Sequence, residues 1–187
     1  MKSLLMCVGA CLLMSTSLLS QNDKGYFLVE FDAFTPPTKE LIASLENTEA
    51  VPFLAPDILG AEQFLGDYRG KKVLIWFWST ADAVSTSQID QINVLQSRYR
   101  DDLQVISFGE ETKTELLDFR RSYPLDFPVI PNGKVLGEAA FGGDLGLGRF
   151  FLIDSEGVIQ KVIPREAFES NADTAFKYAE DMIKSMN

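Results

Sequence analysis

The chain has 187 residues, 46% of them hydrophobic and 24% charged, and its formal net charge at pH 7 is −10. This length and composition indicate one globular domain with short extensions, large enough to bury its own core. The acidic balance argues against nucleic-acid binding, because no excess of Lys and Arg is present to neutralise phosphates. It also argues against electrostatic attachment to anionic lipid.

The first 20 residues have the pattern of a secretory signal. Lys2 supplies a positive charge, and residues 4–19 are apolar with small residues interspersed. This apolar run is shorter than the roughly 20 residues that a membrane span needs, so we expect cleavage near Ser20 and Gln21. The prediction is an exported protein, periplasmic or associated with the cell envelope. An alternative is lipoprotein processing at Cys11, which would place the protein on a membrane.

The positions of the cysteines and the absence of histidine limit the metal sites and catalytic reactions that this chain can support. Both cysteines, Cys7 and Cys11, lie inside the predicted signal, and the chain contains no histidine. The usual ligands of zinc, copper and haem are therefore missing from the exported part. Carboxylate sites for calcium or magnesium stay open, although no spacing resembles an EF-hand loop. We expect neither a metal nor another cofactor.

Residues 21–50 are predicted to be an N-terminal extension, and residues 51–187 a single domain. Within the extension, residues 26–32 alternate partly and are rich in aromatics, which favours an edge strand, and residues 38–46 have helical spacing. Residues 47–56 are expected to be extended or loop-like because they contain two prolines. The extension either packs on the domain or serves as a partner-binding arm. We favour packing, because its apolar residues need cover.

A fully apolar strand is predicted at residues 73–78, of the kind that is covered on both faces. Ser79, Thr80 and Asp82 follow it, and each is a good helix N-cap. The helix is expected to run to about Arg100. Its buried stripe is predicted to consist of Ile89, Ile92, Leu95 and Tyr99.

The rest of the chain alternates strands and helices. Strands are predicted at residues 103–108 and 127–130, with a helix at residues 112–123 between them. Residues 150–154 and 158–163 are predicted to form a hairpin, followed by a helix from about Arg165. The buried face of that helix is expected to comprise Ala172, Ala175, Phe176, Ala179, Met182, Ile183 and Met186. Such alternation predicts an α/β fold with a parallel-containing sheet and helices on both faces.

Two blocks of sequence carry a family resemblance. The first combines residues 55–57 (APD) with residues 68–78 (YRGKKVLIWFW), and the second is residues 151–159 (FLIDSEGVI). Over residues 51–163 the chain resembles the TlpA/AhpC-TSA, or redoxin, branch of the thioredoxin superfamily. The resemblance implies a thioredoxin-like three-layer sandwich with a central mixed sheet. It also implies a Trp-Cys-x-x-Cys motif at the start of the helix that follows the Phe-Trp strand.

That motif is not matched in this sequence. Alignment on the Phe-Trp pair puts Ala81 where the family has its second Trp, and puts Asp82 and Ser85 where it has two cysteines. Counting back from the hairpin puts Gly148 where the family has a cis-proline. In active relatives the first cysteine attacks as a thiolate, which a helix N-terminus stabilises. We therefore expect a kept fold with a lost redox pair.

Two classes of function remain. The first is a redox-inactive protein that binds a protein or peptide, or that has a structural role in the envelope. The resemblance implies a groove between residues 80–85 and residues 147–149, with Thr80, Ala81, Leu147 and Arg149 as candidate groove residues. Trp76, Phe77 and Trp78 are expected in the core, although Trp78 at the strand end is also a candidate for the groove. The second class is a thiol-disulfide oxidoreductase, as the family relationship suggests. It would need cysteines from an uncleaved signal or from a partner.

Other catalytic interpretations are weaker. Asp82 is expected to be a helix N-cap and not a catalyst. A nucleophilic role for Ser85 needs a base, and no histidine is available. A hydrolase would need a second carboxylate brought beside Asp82 by folding. The acidic pairs at residues 101–102 and 110–111 are expected to be solvated loop charges, and the glycine-rich residues 142–148 a turned loop and not a phosphate site.

Overall fold

The computed structural model describes residues 20–21, 27–28, 44–135, 141 and 147–186. The chain divides into two compact units, Met1–Asp32 and Ala33–Asn187. In the first unit, β1 (Ser20–Gln21) pairs antiparallel with β2 (Phe27–Leu28), inside the predicted strand at residues 26–32. Residues 1–19 of the predicted signal and residues 38–43 of the predicted helix lie outside the described residues.

A five-stranded mixed sheet forms the centre of the second unit. Its middle strand is β5 (Lys72–Trp78), with β6 (Leu103–Gly109) and β7 (Val129–Ile130) parallel to it on one side. On the other side, β8 (Arg149–Ile153) and β9 (Ile159–Ile163) form an antiparallel hairpin. The strand order is β7–β6–β5–β8–β9, which confirms the predicted α/β architecture.

The central strand is buried on both faces, as its continuous apolar run predicts. Leu74, Trp76 and Trp78 point into one core cluster, and the alternate residues of the strand point into a second cluster on the opposite face. Trp76 and Trp78 stack face to face with ring centroids 4.9 Å apart. The period-2 alternation of a strand thus supplies both cores from one segment.

Three described helices pack on the face that carries Trp76. They are α1 (Ala83–Arg98), α2 (Lys113–Arg120) and α3 (Arg165–Ser185). The predicted stripe of α1 is confirmed, with Ile89, Ile92 and Leu95 buried and Tyr99 partly buried.

The α3 helix is interrupted at Asn171, whose backbone is extended (φ −162°, ψ 98°). The Asn171 side chain accepts a hydrogen bond from the Thr174 N–H at 2.9 Å, so it caps a new helix start. Ala172, predicted to be buried, is exposed because it lies at this restart. The residues from Ala175 onward follow the predicted buried face.

The opposite face of the sheet is covered by smaller elements. β3 (Leu54–Pro56) and β4 (Glu62–Phe64) form a hairpin that leads into a 3-10 helix, Leu65–Tyr68. Residues 133–135 and 141 are helical, and Phe141 packs into the second core against Phe77 and Phe151. Helical residues therefore lie on both faces of the sheet, as expected.

The segment before β3 pairs with the start of β9. The Asn47 N–H donates to Ile159 O at 2.7 Å, the Ile159 N–H donates to Thr48 O at 2.8 Å, and the Ala50 N–H donates to Gly157 O at 2.9 Å. This end of the predicted extension therefore packs on the domain. Within the described part of the chain, no helix has the length and apolar character needed to cross a membrane.

Candidate functional site

The junction between β5 and α1 lies at the carboxyl end of the central strand. Asp82 is the N-cap of α1, and its Oδ2 accepts a hydrogen bond from the Ser85 N–H at 2.9 Å. The same oxygen accepts the Ser85 hydroxyl, and Ser85 is completely buried. The structure thus gives Asp82 the capping role expected from the sequence, because its carboxylate satisfies an otherwise unpaired N–H of the first turn.

A residue far along the chain completes this cluster. Arg165, the first residue of α3, holds Asp82 with two parallel bonds, from Nη1 to Oδ2 at 2.8 Å and from Nη2 to Oδ1 at 2.9 Å. Its Nε donates to Glu169 Oε1 at 2.6 Å. The side chains of Arg165 and Asp82 are 29% and 15% exposed, so the pair is partly shielded from water. Bidentate geometry of this kind is both strong and directional.

This arrangement fixes the charge of Asp82. The pKa of Asp82 is lowered to about 2, chiefly by the hydrogen bonds from Arg165 and further by those from Ser85. The same contact raises the pKa of Arg165. Asp82 is therefore a permanent carboxylate near neutral pH and a poor proton acceptor, since an effective general base has a pKa close to the working pH.

Gly148 lies against the same cluster. Its N–H donates to Phe77 O at 2.7 Å, and its φ of +75° lies in the region that favours glycine. A Cβ built there would lie 3.7 Å from Arg165 Cγ and 3.8 Å from both Arg165 Nη1 and Gln88 Nε2. The structure therefore brings the predicted positions Asp82, Ser85 and Gly148 together, with Arg165 as the link.

The candidate groove residues differ in exposure. Trp78 is fully buried, and its Nε1 donates to Ser107 Oγ at 3.2 Å, so its proposed place in a surface groove is wrong. Its side chain points into the core because it continues the alternation of Leu74 and Trp76. Ala81 is exposed. Intermediate exposure is found for Thr80, Leu147 and Arg149.

Glu111 fixes the turn that precedes Asp82. Its Oε1 accepts three hydrogen bonds, from Ser79 Oγ at 2.6 Å, Thr80 N at 2.6 Å and Thr80 Oγ1 at 2.8 Å. The expectation of a solvated loop charge is therefore wrong for Glu111. β5 and β6 are parallel, so their carboxyl ends meet at one edge of the sheet and the carboxylate reaches the neighbouring turn.

Replacing Glu111 with alanine is expected to lower the free energy of unfolding by about 1–2 kcal/mol, because three donors of the turn lose a charged acceptor. Glu110→Ala is the control, since Glu110 is an exposed neighbour at the same strand end. Urea unfolding of both variants measures the difference. A Glu111→Ala variant as stable as the wild type would show that the turn does not depend on this carboxylate.

Three site residues were not identified from the sequence. Arg165 was noted only as a helix start, and nothing in the spacing connects it with Asp82, 83 residues away. Gln88 lies on the buried side of α1, where a polar residue among apolar neighbours is a signal that was available. Glu111 follows the end of a strand parallel to β5, which is also a readable signal.

The sequence and the fold of this chain are similar to those of known proteins. Residues 46–162 match the family model described as the AhpC/TSA family. The chain belongs to the AhpC/TSA family. One relative of this AhpC/TSA protein is the thiol-disulfide oxidoreductase ResA of Bacillus cereus, 32% identical over 126 residues that cover 65% of this chain and 71% of ResA.

Solved structures show the same fold. A thiol:disulfide interchange protein of the thioredoxin family from Chlorobium tepidum aligns with a TM-score of 0.56 and 18% identity, covering 70% of this AhpC/TSA chain and 97% of its own. The exposed lipoprotein thioredoxin of Streptococcus pneumoniae aligns with a TM-score of 0.54 and 19% identity, covering 66% and 98% respectively. The thioredoxin-like redoxin assignment made from the two sequence blocks is thereby confirmed.

Within the part of the chain that the structure describes, no group of three His, Cys, Asp or Glu side chains is placed to hold a metal ion. The site consists of the Asp82 carboxylate, which accepts hydrogen bonds from the buried Ser85 hydroxyl and from the Arg165 guanidinium. This hydrogen-bonded cluster lies at the end of the central strand and reaches solvent only in part, through Asp82 and Arg165.

Proposed function

We propose that this protein is an exported, thioredoxin-like binding protein that has lost dithiol chemistry and holds a protein or peptide segment without exchanging disulfides. The proposal rests on the residues present at the junction between β5 and α1. Asp82 and Ser85 occupy the first turn of α1, and both are tied to Arg165 or to each other. Disulfide exchange requires an attacking thiolate, which neither side chain can provide.

The surface proposed for binding runs from residues 80–85 to residues 147–149. Asp82 and Gly148 lie on its two sides, joined by the Arg165 side chain. A site held by a bidentate ion pair and by the three bonds to Glu111 is preorganised, which limits the entropy lost when a segment binds.

A thiol-disulfide oxidoreductase is the second candidate, and the family membership and the ResA relative favour it. The sequence has no cysteine after Cys11, so this activity would have to use Cys7 and Cys11 or a partner's thiols. A carboxylate-based hydrolase is disfavoured, because the pKa of Asp82 is about 2 and a guanidinium stands between Asp82 and Glu169.

Export is part of the proposal. Its support is the signal pattern of residues 1–20 and the description of the aligned Streptococcus pneumoniae thioredoxin as an exposed lipoprotein. Intact mass and thiol titration of the native protein test it. A mass that corresponds to a chain beginning at Gln21, with no titratable thiol, supports a released binding protein. Lipid on Cys11 would place the protein on a membrane. An uncleaved chain with reactive thiols would favour the oxidoreductase instead.

The binding proposal is tested with an array of short unstructured peptides and the purified protein. Gly148→Asn adds a side chain against Arg165 and Gln88, directly beneath the proposed surface, and asparagine tolerates positive φ. Gly60→Asn is the matched control, because Gly60 has φ +90° and no heavy atom of the described residues lies within 4 Å of a built Cβ. We expect Gly148→Asn and the bulky Asp82→Tyr to weaken binding at least tenfold, and Gly60→Asn to leave it unchanged. Unchanged binding by both groove variants would contradict the proposal.

Catalysis of insulin reduction by dithiothreitol separates the two candidate functions. The protein is expected not to accelerate the reaction, since it has no thiolate at the junction. Catalysis that disappears when Cys7 and Cys11 are both replaced by serine would instead establish the oxidoreductase.

A further inference from the structure

A cavity of about 310 Å³ lies beside β7, the strand at the opposite edge of the sheet from β9. Its walls come from the turn between β3 and β4, the last residue of α2 and the segment that leads into β7. Four buried apolar residues line its floor: Ile58, Leu125, Phe127 and Val129. None of the residues of the proposed groove lines it, so peptide binding in the groove does not use this cavity.

An exposed leucine stands on the rim of the cavity. Leu59 is 65% exposed, and Asp57 Oδ1 fixes its turn by accepting the N–H groups of Leu59 at 2.9 Å and Ala61 at 3.0 Å. The Ile58 N–H donates to Val129 O at 2.8 Å, which ties the same turn to β7. Single exposed leucines are common and need no explanation. This one is held outward by a hydrogen-bonded turn, next to an apolar cavity.

The rim also carries one available charge of each sign. Arg120 and Asp126 line the cavity, and within the described part of the chain neither side chain forms a hydrogen bond or an ion pair. The third charged residue, Asp57, is buried and directed into its own turn, where Oδ2 accepts Gln63 Nε2 at 3.0 Å. An occupant of this surface must therefore offer an apolar group to the cavity, an acid to Arg120 and a base to Asp126.

We propose that the β7 patch, which consists of Leu59, Arg120, Asp126 and the cavity between them, joins two copies of this chain in a twofold-symmetric dimer. A twofold axis brings the same patch of both copies together, so it requires a self-complementary surface. In this dimer the Leu59 side chain of each copy enters the partner's cavity, and each Arg120 faces the partner's Asp126. A second copy thus supplies every group that the patch accepts. The inference goes beyond peptide binding and does not depend on it.

Sedimentation equilibrium of the purified protein over a wide range of concentrations measures the dimer. A patch built around one cavity gives a small interface, so we expect a weak and reversible dimer. Leu59→Ser should weaken dimerisation at least about tenfold, because each dimer loses two buried leucines. Leu59→Met keeps an apolar side chain and should retain most of the affinity. Val51→Ser is the control, since Val51 is an aliphatic residue that is 36% exposed and does not line the cavity.

Reversal of the two charges tests the symmetry of the interface. Arg120→Asp places two acids against each other at both contacts, and Asp126→Arg places two guanidinium groups against each other, so each variant alone should stay monomeric. Mixing the two variants restores opposite charges at both contacts. A heterodimer should then form, with an affinity within about tenfold of the wild-type homodimer. An ion pair between Arg120 and Asp126 within one chain would give no such recovery.

Circular dichroism of each variant verifies that the domain is folded, so that loss of the dimer is not loss of structure. Three results would each overturn the inference: a wild-type protein that stays monomeric, a dimer that Leu59→Ser leaves unchanged, and a mixture of the two charge variants that stays monomeric. The first is the result expected if the cavity instead takes a small molecule or a different protein. Binding in the peptide array is measured separately, so failure of the dimer leaves the proposed function intact.

Discussion

Replacing Asp82 with alanine is expected to lower the free energy of unfolding by about 2–3 kcal/mol at neutral pH. The N-cap bond to Ser85 is lost, which costs about 1 kcal/mol in typical helices. Arg165, whose side chain is 29% exposed in the native protein, also loses both bonds to the carboxylate and is left with Glu169 alone. Urea unfolding followed by circular dichroism measures the change.

The pH dependence of stability separates two contributions of Asp82, its role as a helix N-cap and its negative charge. The pKa of Asp82 is about 2 in the folded protein and close to 4 when unfolded, so its contribution is complete above about pH 5 and is lost as pH falls through 2. Asp82→Asn keeps a capping oxygen and removes the charge. As pH falls from 5 to 2, the wild type should therefore lose up to about 2 kcal/mol of unfolding free energy relative to Asp82→Asn, and the two stabilities should converge.

The lowered pKa of Glu180 does not disturb this comparison. Glu180 also has its pKa lowered to about 2, chiefly by a hydrogen bond from Tyr99, but it is present in both proteins and its effect cancels. A constant difference between wild type and Asp82→Asn across this pH range would show that the ion pair with Arg165 contributes nothing to folding.

Introducing two cysteines, as Asp82→Cys with Ser85→Cys, is expected to make the protein a catalyst of insulin reduction by dithiothreitol. A thiol at position 82 would lie at the N-terminus of α1 and beside Arg165, both of which stabilise a thiolate. The thiolate would attack a substrate disulfide, and the thiol at position 85 would then displace the reduced substrate as an internal disulfide forms. Dithiothreitol returns both thiols.

The expected pKa of the thiol at position 82 is about 7 or lower, read from the ultraviolet absorbance of the thiolate. Adding Arg165→Met to the double variant should raise this pKa toward 8.5, the value of a free cysteine. The single variant Asp82→Cys is the control, since it can form a mixed disulfide but has no second thiol to release it. A double variant that titrates near 8.5 and shows no turnover would mean that the junction no longer has the geometry of an active redoxin.

The strands and helices near the site follow from local pattern. The apolar run of β5 and the N-cap at Asp82 are set by neighbouring residues, and both were predicted correctly. The contacts between elements were not, because the Arg165 guanidinium reaches Asp82 only once α3 has docked on the sheet. The sequence left both the core and a groove open for Trp78, and the strand alternation that it shares with Trp76 places it in the core.

The residues that pair with β9 have a consequence for self-association. An unpaired strand edge presents a row of N–H and C=O groups to which another chain can add. Residues 47–50 occupy this row beside Gly157 and Ile159, and Glu46 Oε1 accepts the Val162 N–H at 3.2 Å while it contacts Lys161 Nζ at 2.8 Å. This short segment therefore covers part of the β9 edge of the sheet. Removing residues 46–50 would expose these N–H and C=O groups to pairing with a strand of another chain.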